Sequence, residues 1–159
     1  MRKFAPGFPL SALIASDVAR REGIDNTPSP TEEKRLLEVS WFLYTLAYNL
    51  KLRGRPNKIV ITSGFRCGEL NSAVGGADTS YHTLGLAVDF VVVGMSTFEL
   101  ARFITNTMVE FGYDQVINEF GRWVHVSVTK GALPKLQELT ATKDGGRTVY
   151  RAGIVEVEG

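Results

Sequence analysis

An α+β fold is what this sequence predicts, with a small antiparallel sheet flanked by helices. Three observations carry that expectation. Helical periodicity dominates the first third of the chain, whereas short apolar runs bounded by turn residues crowd the remainder. Two of those runs, "DQVINE" and "RWVHVSV", are separated only by Phe120-Gly121, close enough for a tight hairpin. Helices first and neighbouring strands later place the helices on one face of the sheet.

The elements follow in order. "PLSALIASDVARREG" reads as one short amphipathic helix ending near Gly23. A long helix starts after Ser29, a candidate N-cap, with Pro30 at the first helical position and Glu32 and Glu33 favouring the positive helix start. Leu36, Leu37, Val39, Phe42, Leu43, Leu46 and Leu50 give it a wide apolar stripe, and Gly54 with Pro56 stops it. "NKIVITS" is a strand bounded by turn residues, and "CGELNSAVGGADTS" a short helix or loop. "LAVDFVVV" is the next strand. Ser96 with Glu99 three residues on forms a capping box that opens a helix running to Gly112. After the hairpin come a short helical piece near "LPKLQEL", a polar loop at "TATKDGG" and a terminal strand "TVYRAGIVEV". No internal repeat interrupts this order.

A chain of 159 residues suits one domain, expected to span residues 1–159. Hydrophobic residues make up 44% and charged residues 22%, ordinary for a soluble globular protein. The 18 basic residues nearly cancel the 17 acidic ones, so the composition carries no strong electrostatic footprint for nucleic acid or an anionic membrane. A monomer with no nucleic-acid partner is the expectation. Cys67 is the single cysteine, which excludes an intrachain disulfide and a cysteine-rich zinc cage. A nucleophilic role for it would require a histidine to activate the thiol, so it reads as a small buried residue. The opening residues are broken by Pro6, Gly7 and Pro9, so no signal peptide is expected. No apolar run approaches the roughly 18 residues that span a bilayer, so no membrane insertion is expected.

The residues that do not fit ordinary packing lie on two strands. Side chains alternate along a strand, so Val124, Val126 and Val128 share one face, and Trp123, His125 and Ser127 the other. In "LAVDFVVV", Leu86, Val88, Phe90 and Val92 likewise share a face, leaving Asp89 on the opposite one with Ala87 and Val91. An ionised aspartate in such a stretch costs several kcal/mol if unpaired, so Asp89 needs a cation or strong donors. His82 and His125 are the only two histidines. Two imidazoles and a carboxylate form a three-ligand zinc set with a fourth position open. Taken singly, each residue has an ordinary alternative: a strand histidine packs or faces solvent, and a buried aspartate caps a turn or pairs with arginine.

The stretch "SGFRCGELNSAVGGADTSYHTLGLAVD" followed by "DQVINEFGRWVHVSV" resembles the M15 peptidases, the zinc D,D-carboxypeptidase and L,D-endopeptidase family, and most of all its short phage-encoded branch. The Ser-x-His-x-x-Gly-x-Ala-x-Asp pattern is met by Ser80, His82, Gly85, Ala87 and Asp89. The later Trp-x-His-x-Ser is met by Trp123, His125 and Ser127. The resemblance, weaker at its ends, covers about residues 8–130 and implies the fold shared by hedgehog signalling domains and D,D-peptidases.

The resemblance implies that His82, Asp89 and His125 hold one zinc ion. Many family members place a catalytic acid three residues before the second histidine, where this chain has Arg122, a departure from the pattern. Glu119, six residues before His125, matches the glutamate spacing of the hedgehog relatives and is the expected base, ahead of Asp114 and Glu110. Otherwise Glu119 is a solvated turn residue. Arg66 resembles the family's substrate arginine, whose planar fork suits a carboxylate; its alternative is a structural ion pair. Ser80 is expected to hydrogen-bond the substrate backbone, and Trp123 to line the cleft or simply pack. The implied partner is a bacterial peptidoglycan peptide. The implied setting is a phage lysis enzyme in the host cytoplasm, released at lysis, or a virion-associated one. A zinc-bearing binding module without catalysis, or a structural wall-binding head, is the alternative.

Overall fold

The computed structural model describes residues 1–158. Two short helices, α1 (Leu10–Ile14) and α2 (Asp17–Glu22), precede the long α3 (Pro30–Leu52). Strand β1 (Ile59–Ser63), helix α4 (Gly68–Ala73) and a 3₁₀ turn (Tyr81–Leu84) lead to β2 (Ala87–Val92). Helix α5 (Thr97–Thr107) then precedes β3 (Tyr113–Glu119), β4 (Trp123–Val128), β5 (Gln137–Asp144) and β6 (Arg147–Ala152). The six strands form one sheet in the order β1-β2-β4-β3-β5-β6. Every neighbouring pair is antiparallel except β3–β5, which is parallel.

The capping chemistry behaves as the sequence predicts. Ser29 and Ser96 each accept from the backbone N–H of a glutamate three residues on, and Glu32 and Glu99 return a bond to the cap backbone. Both helices lay an apolar stripe on the sheet. Leu36, Val39, Phe42, Leu43, Leu46 and Leu50 of α3, with Leu100, Ala101 and Ile104 of α5, pack with Val88, Phe90, Val92, Val116, Val124, Val126 and Val128. Each fully buried side chain of this kind contributes on the order of 1.5–3 kcal/mol, so this single face carries most of the hydrophobic stabilisation.

Several boundaries differ from the sequence reading. The expected N-terminal helix is two helices, because Ser16 takes an extended conformation and caps α2 by accepting from Ala19 N. The carbonyls at the end of α1 are used elsewhere: Leu13 O accepts from Phe65 N at 2.7 Å and Ile14 O from the Asn26 amide at 2.9 Å. α5 stops at Thr107 rather than Gly112. No helix forms near "LPKLQEL"; Pro134 and a left-handed Leu136 (φ 50°) lead directly into β5. "TATKD" is strand, not loop, with Thr140 and Ala141 buried, and β6 ends at Ala152. Gly145 and Gly146, both at positive φ, close the β5–β6 hairpin between Asp144 and Arg147.

The second face of the sheet carries Asp89, His125 and Glu119. Register alone sets its rows. Asp89 pairs with His125, His125 with Ile117, and Ile117 with Leu139. One pleat along, Trp123 pairs with Glu119, Glu119 with Ala141, and Ala141 with Tyr150. Directly paired residues point to the same side, so these two rows floor a common cleft.

Candidate metal centre and cleft

Asp89 and His125 face each other because β2 and β4 are antiparallel in this register, and His82 reaches them from the 3₁₀ turn. Ser80 caps that turn, its Oγ accepting from His82 N at 3.3 Å, and Gly85 closes it at φ 71°. A side chain at Gly85 would meet the backbone of Glu32 at 2.7 Å, so glycine is required both by conformation and by the close approach of α3.

The three side chains converge. His82 Nε2 lies 3.2 Å and His125 Nδ1 2.8 Å from the same oxygen, Asp89 Oδ1. One ligand atom from each residue lies within 4.8 Å of the others, and all three residues are buried. The rings of His82 and His125 are 5.1 Å apart at 63°.

The far side of His82 bears on what the centre could hold. His82 Nδ1 lies 2.7 Å from the carbonyl of Gly64. A carbonyl only accepts, so Nδ1 carries the hydrogen, and a neutral ring then turns the lone pair of Nε2 toward the Asp89 carboxylate. Two acceptors 3.2 Å apart repel unless a positive charge lies between them. Burial pushes the His82 pKa down, against the opposing pull of Asp89, so a ring proton is disfavoured in that role. A divalent cation satisfies all three atoms, and a histidine whose other nitrogen is fixed by a carbonyl is the usual support of a metal ligand. Two imidazoles and one carboxylate suit zinc, so the residues present fit the ion.

Electrostatics around the centre are polarised. For Asp89, burial works to raise the pKa, yet the flanking imidazoles outweigh it and hold the carboxyl well below its usual range. For His125, burial works downward, but the bond to Asp89 and the charges of Asp89 and Glu119 leave its pKa raised.

Glu119 sits at the end of β3, beside the turn to β4. Its Oε1 is 4.0 Å from His125 Nδ1, and its Oε2 accepts from Trp123 Nε1–H at 2.9 Å. Burial, then repulsion by Asp89, raises its pKa, so this carboxylate is a stronger base than an exposed glutamate. Phe120 and Gly121 both take positive φ (58° and 66°), and Arg122 N donates to Glu119 O at 3.0 Å, a type I′ turn. The other acids are not available to the centre. Asp114 is buried and spends its oxygens on Tyr81, Lys130 N and Lys135 N. Glu110 is exposed just beyond α5, and Arg122 is exposed on the turn; neither lines the cleft.

A cleft of about 1180 Å³ runs over the centre, lined by Arg66, Ser80, Trp123, Glu119 and the three donor residues. Arg66 forms no ion pair among the described residues, so the structural-pair alternative finds no support. Its Nε is buried without a hydrogen-bond partner. Burial lowers its pKa, while the charges of Asp89 and Glu119 act the other way. A desolvated donor at a cleft wall is suited to a ligand acceptor. Cys67 is half-buried rather than buried and caps α4 by accepting from Leu70 N at 3.4 Å.

Sequence reasoning missed several residues. Gly64, which orients His82, gave no signal beyond its place after a strand. Phe120 packs edge-on against Trp123 at 5.5 Å, and β5–β6 adds Leu139, Lys143, Thr148 and Tyr150 to the cleft. Strand assignment of "TATKD" would have put Ala141 and Lys143 on the cleft face.

Residues 6–127 match a family model whose description is Peptidase M15. No protein among the curated ones matches the chain. The matched span contains every donor residue and Glu119, and it ends before β5.

Proposed function

This chain belongs to the M15 peptidase family, and on that premise we propose that it is a zinc-dependent peptidase of bacterial peptidoglycan stem peptides. His82, Asp89 and His125 would hold one zinc ion. The observation that carries this reading is the lone pair of His82 Nε2 aimed at Asp89 Oδ1, an arrangement that asks for a cation. A zinc ion there would supply Lewis acidity, polarising the scissile carbonyl and making water a better nucleophile near neutral pH.

The chain's own residues divide the remaining work. Glu119 takes a proton from the attacking water and delivers it to the leaving amine, as general base and then acid. Trp123 fixes that carboxylate through its indole N–H, leaving the other oxygen toward the donor set. Arg66 offers its guanidinium to a substrate carboxylate or carbonyl. Ser80 keeps its hydroxyl proton for the substrate, since its oxygen already accepts from His82 N. A phage lysis or virion-associated enzyme acting on the cell wall is the context this family resemblance favours.

Purified peptidoglycan digested by the protein and read by mass spectrometry tests the proposal and names the bond cut. The expected result is new amine and carboxyl ends within stem peptides, lost in Glu119→Gln while zinc is retained. Undigested peptidoglycan from a zinc-loaded protein would favour a binding module instead.

A further inference from the structure

The β5–β6 hairpin lies beyond the matched residues yet forms one wall of the cleft. It is attached through the parallel β3–β5 pair, which extends the row Trp123–Glu119 by Ala141 and then Tyr150. Ala141, small and fully buried, separates Glu119 from Tyr150 in this row, and both of those flanking residues line the cleft. Tyr150 is 55% exposed, and no described residue takes a hydrogen bond from its hydroxyl. Its pKa is raised, first by partial burial and then by the charges of Glu119 and Asp89, which places the phenol in the field of the centre and keeps it a donor.

One pleat further, about 7 Å along the strand, Lys143 pairs with Thr148 on the same face. Its ammonium is held rather than free. It donates to Thr148 Oγ1 at 2.9 Å and lies 5.1 Å from the centre of the Phe120 ring. Phe120 has left-handed backbone, unfavourable for a non-glycine residue, and its ring sits between Trp123 and Lys143. No carboxylate of the described chain pairs with Lys143. The cleft therefore carries one cation at Arg66 and a second, preorganised and unneutralised, on the hairpin beyond Glu119.

We infer that Lys143 and Tyr150 form a specificity subsite for an acidic residue of the substrate peptide, on the Glu119 side of the metal centre. This rests on the peptidase reading. Lys143 receives the side-chain carboxylate, and Tyr150 donates to the peptide carbonyl beside it. The substrate then continues past the scissile bond on the hairpin side.

The test uses two synthetic stem-type peptides that differ only in a glutamate, free or as its carboxamide, within two residues of the scissile bond. Wild-type protein should show kcat/KM about twofold to fivefold higher for the free acid, the upper part of the range of an exposed charge pair. The preference should shrink in high salt. Lys143→Met should bring the ratio to about one, and Tyr150→Phe should raise KM for both peptides. Calorimetry with Glu119→Gln, alone and combined with Lys143→Met, reads the same preference as binding without turnover. Equal handling of acid and amide by wild type, or a preference surviving Lys143→Met, overturns the subsite. If neither peptide is cut, the peptidase reading falls, while the binding measurement still decides the subsite: an acid preference that requires Lys143 supports it, and no preference removes it.

Discussion

Gly64→Ala should damage both the fold and the metal centre, although residue 64 supplies no ligand atom itself and acts through its carbonyl on His82. A Cβ there would stand 2.0 Å from Leu13 O and 2.8 Å from Leu13 C, backbone atoms that cannot rotate away. Ordinary contact begins near 3.4 Å, so the end of β1 and helix α1 must separate by about 1.4 Å. Two short bonds sit on that contact: Phe65 N to Leu13 O at 2.7 Å and His82 Nδ1 to Gly64 O at 2.7 Å. Overpacking of this kind costs about 1–3 kcal/mol, and one weakened buried hydrogen bond adds about 1 kcal/mol. Together they amount to roughly 2–4 kcal/mol, or a Tm lower by about 4–16 °C for a chain of this size. Loosening the group that orients His82 should weaken zinc binding by about 10–100-fold. Thermal melts of the metal-free protein and a competitive zinc titration, run well below the melting transition, read the two effects separately. A variant with unchanged Tm and unchanged zinc affinity would refute the reasoning, because it would mean that the Gly64 carbonyl neither packs nor orients as described.

Further outcomes follow from the same geometry. Glu119→Gln should lower kcat by about 10²–10⁴ with zinc content unchanged, measured on a peptide substrate. Because the folded pKa of Glu119 lies above its unfolded value, the ionised residue opposes folding. That penalty is absent below the unfolded pKa, near 4.5, and grows as pH rises through the folded value. Melts of the metal-free proteins should therefore show Glu119→Gln gaining on wild type from acid to neutral pH. Arg66→Lys should raise KM more than it lowers kcat, since an ammonium cannot reproduce the planar fork. Gly76→Ala should produce a weaker form of the same defect, because its Cβ would lie 3.0 Å from Arg66 Nη1 and 2.0 Å from Asn71 Oδ1; steady-state kinetics on one peptide reads both.

Much of the site was legible because strand alternation is a local property. The valines of β4 and the apolar residues of β2 fixed which face His125 and Asp89 had to take, and the antiparallel register then made them neighbours. Capping at Ser29 and Ser96 was equally local. What could not be read depends on distant partners. The break at Ser16 exists because Phe65 and Asn26 take the α1 carbonyls, and neither is near in sequence. The Gly64–His82 bond joins residues 18 apart across a turn. β5 was hidden for another reason: "TATKDGG" is polar, and its strand identity rests on parallel pairing with β3 and on threonine, whose branched side chain suits a pleated surface. Its Gly145-Gly146 pair was a hairpin signal within reach of the sequence. Missing that strand removed Lys143 and Tyr150 from consideration, although the donor residues and Glu119 were already in view.

The central claim is that the buried carboxylate of Asp89 is compensated by a metal ion shared with His82 and His125. Elemental analysis of the purified protein, with calorimetric zinc titration of the chelator-treated protein, tests it most directly. One zinc per chain is expected, with binding that releases protons as pH falls toward the histidine range and loss of that ion in His82→Ala and in His125→Ala. A folded wild-type protein that takes up no zinc, or a His125→Ala protein that still binds one ion with wild-type affinity, would contradict it.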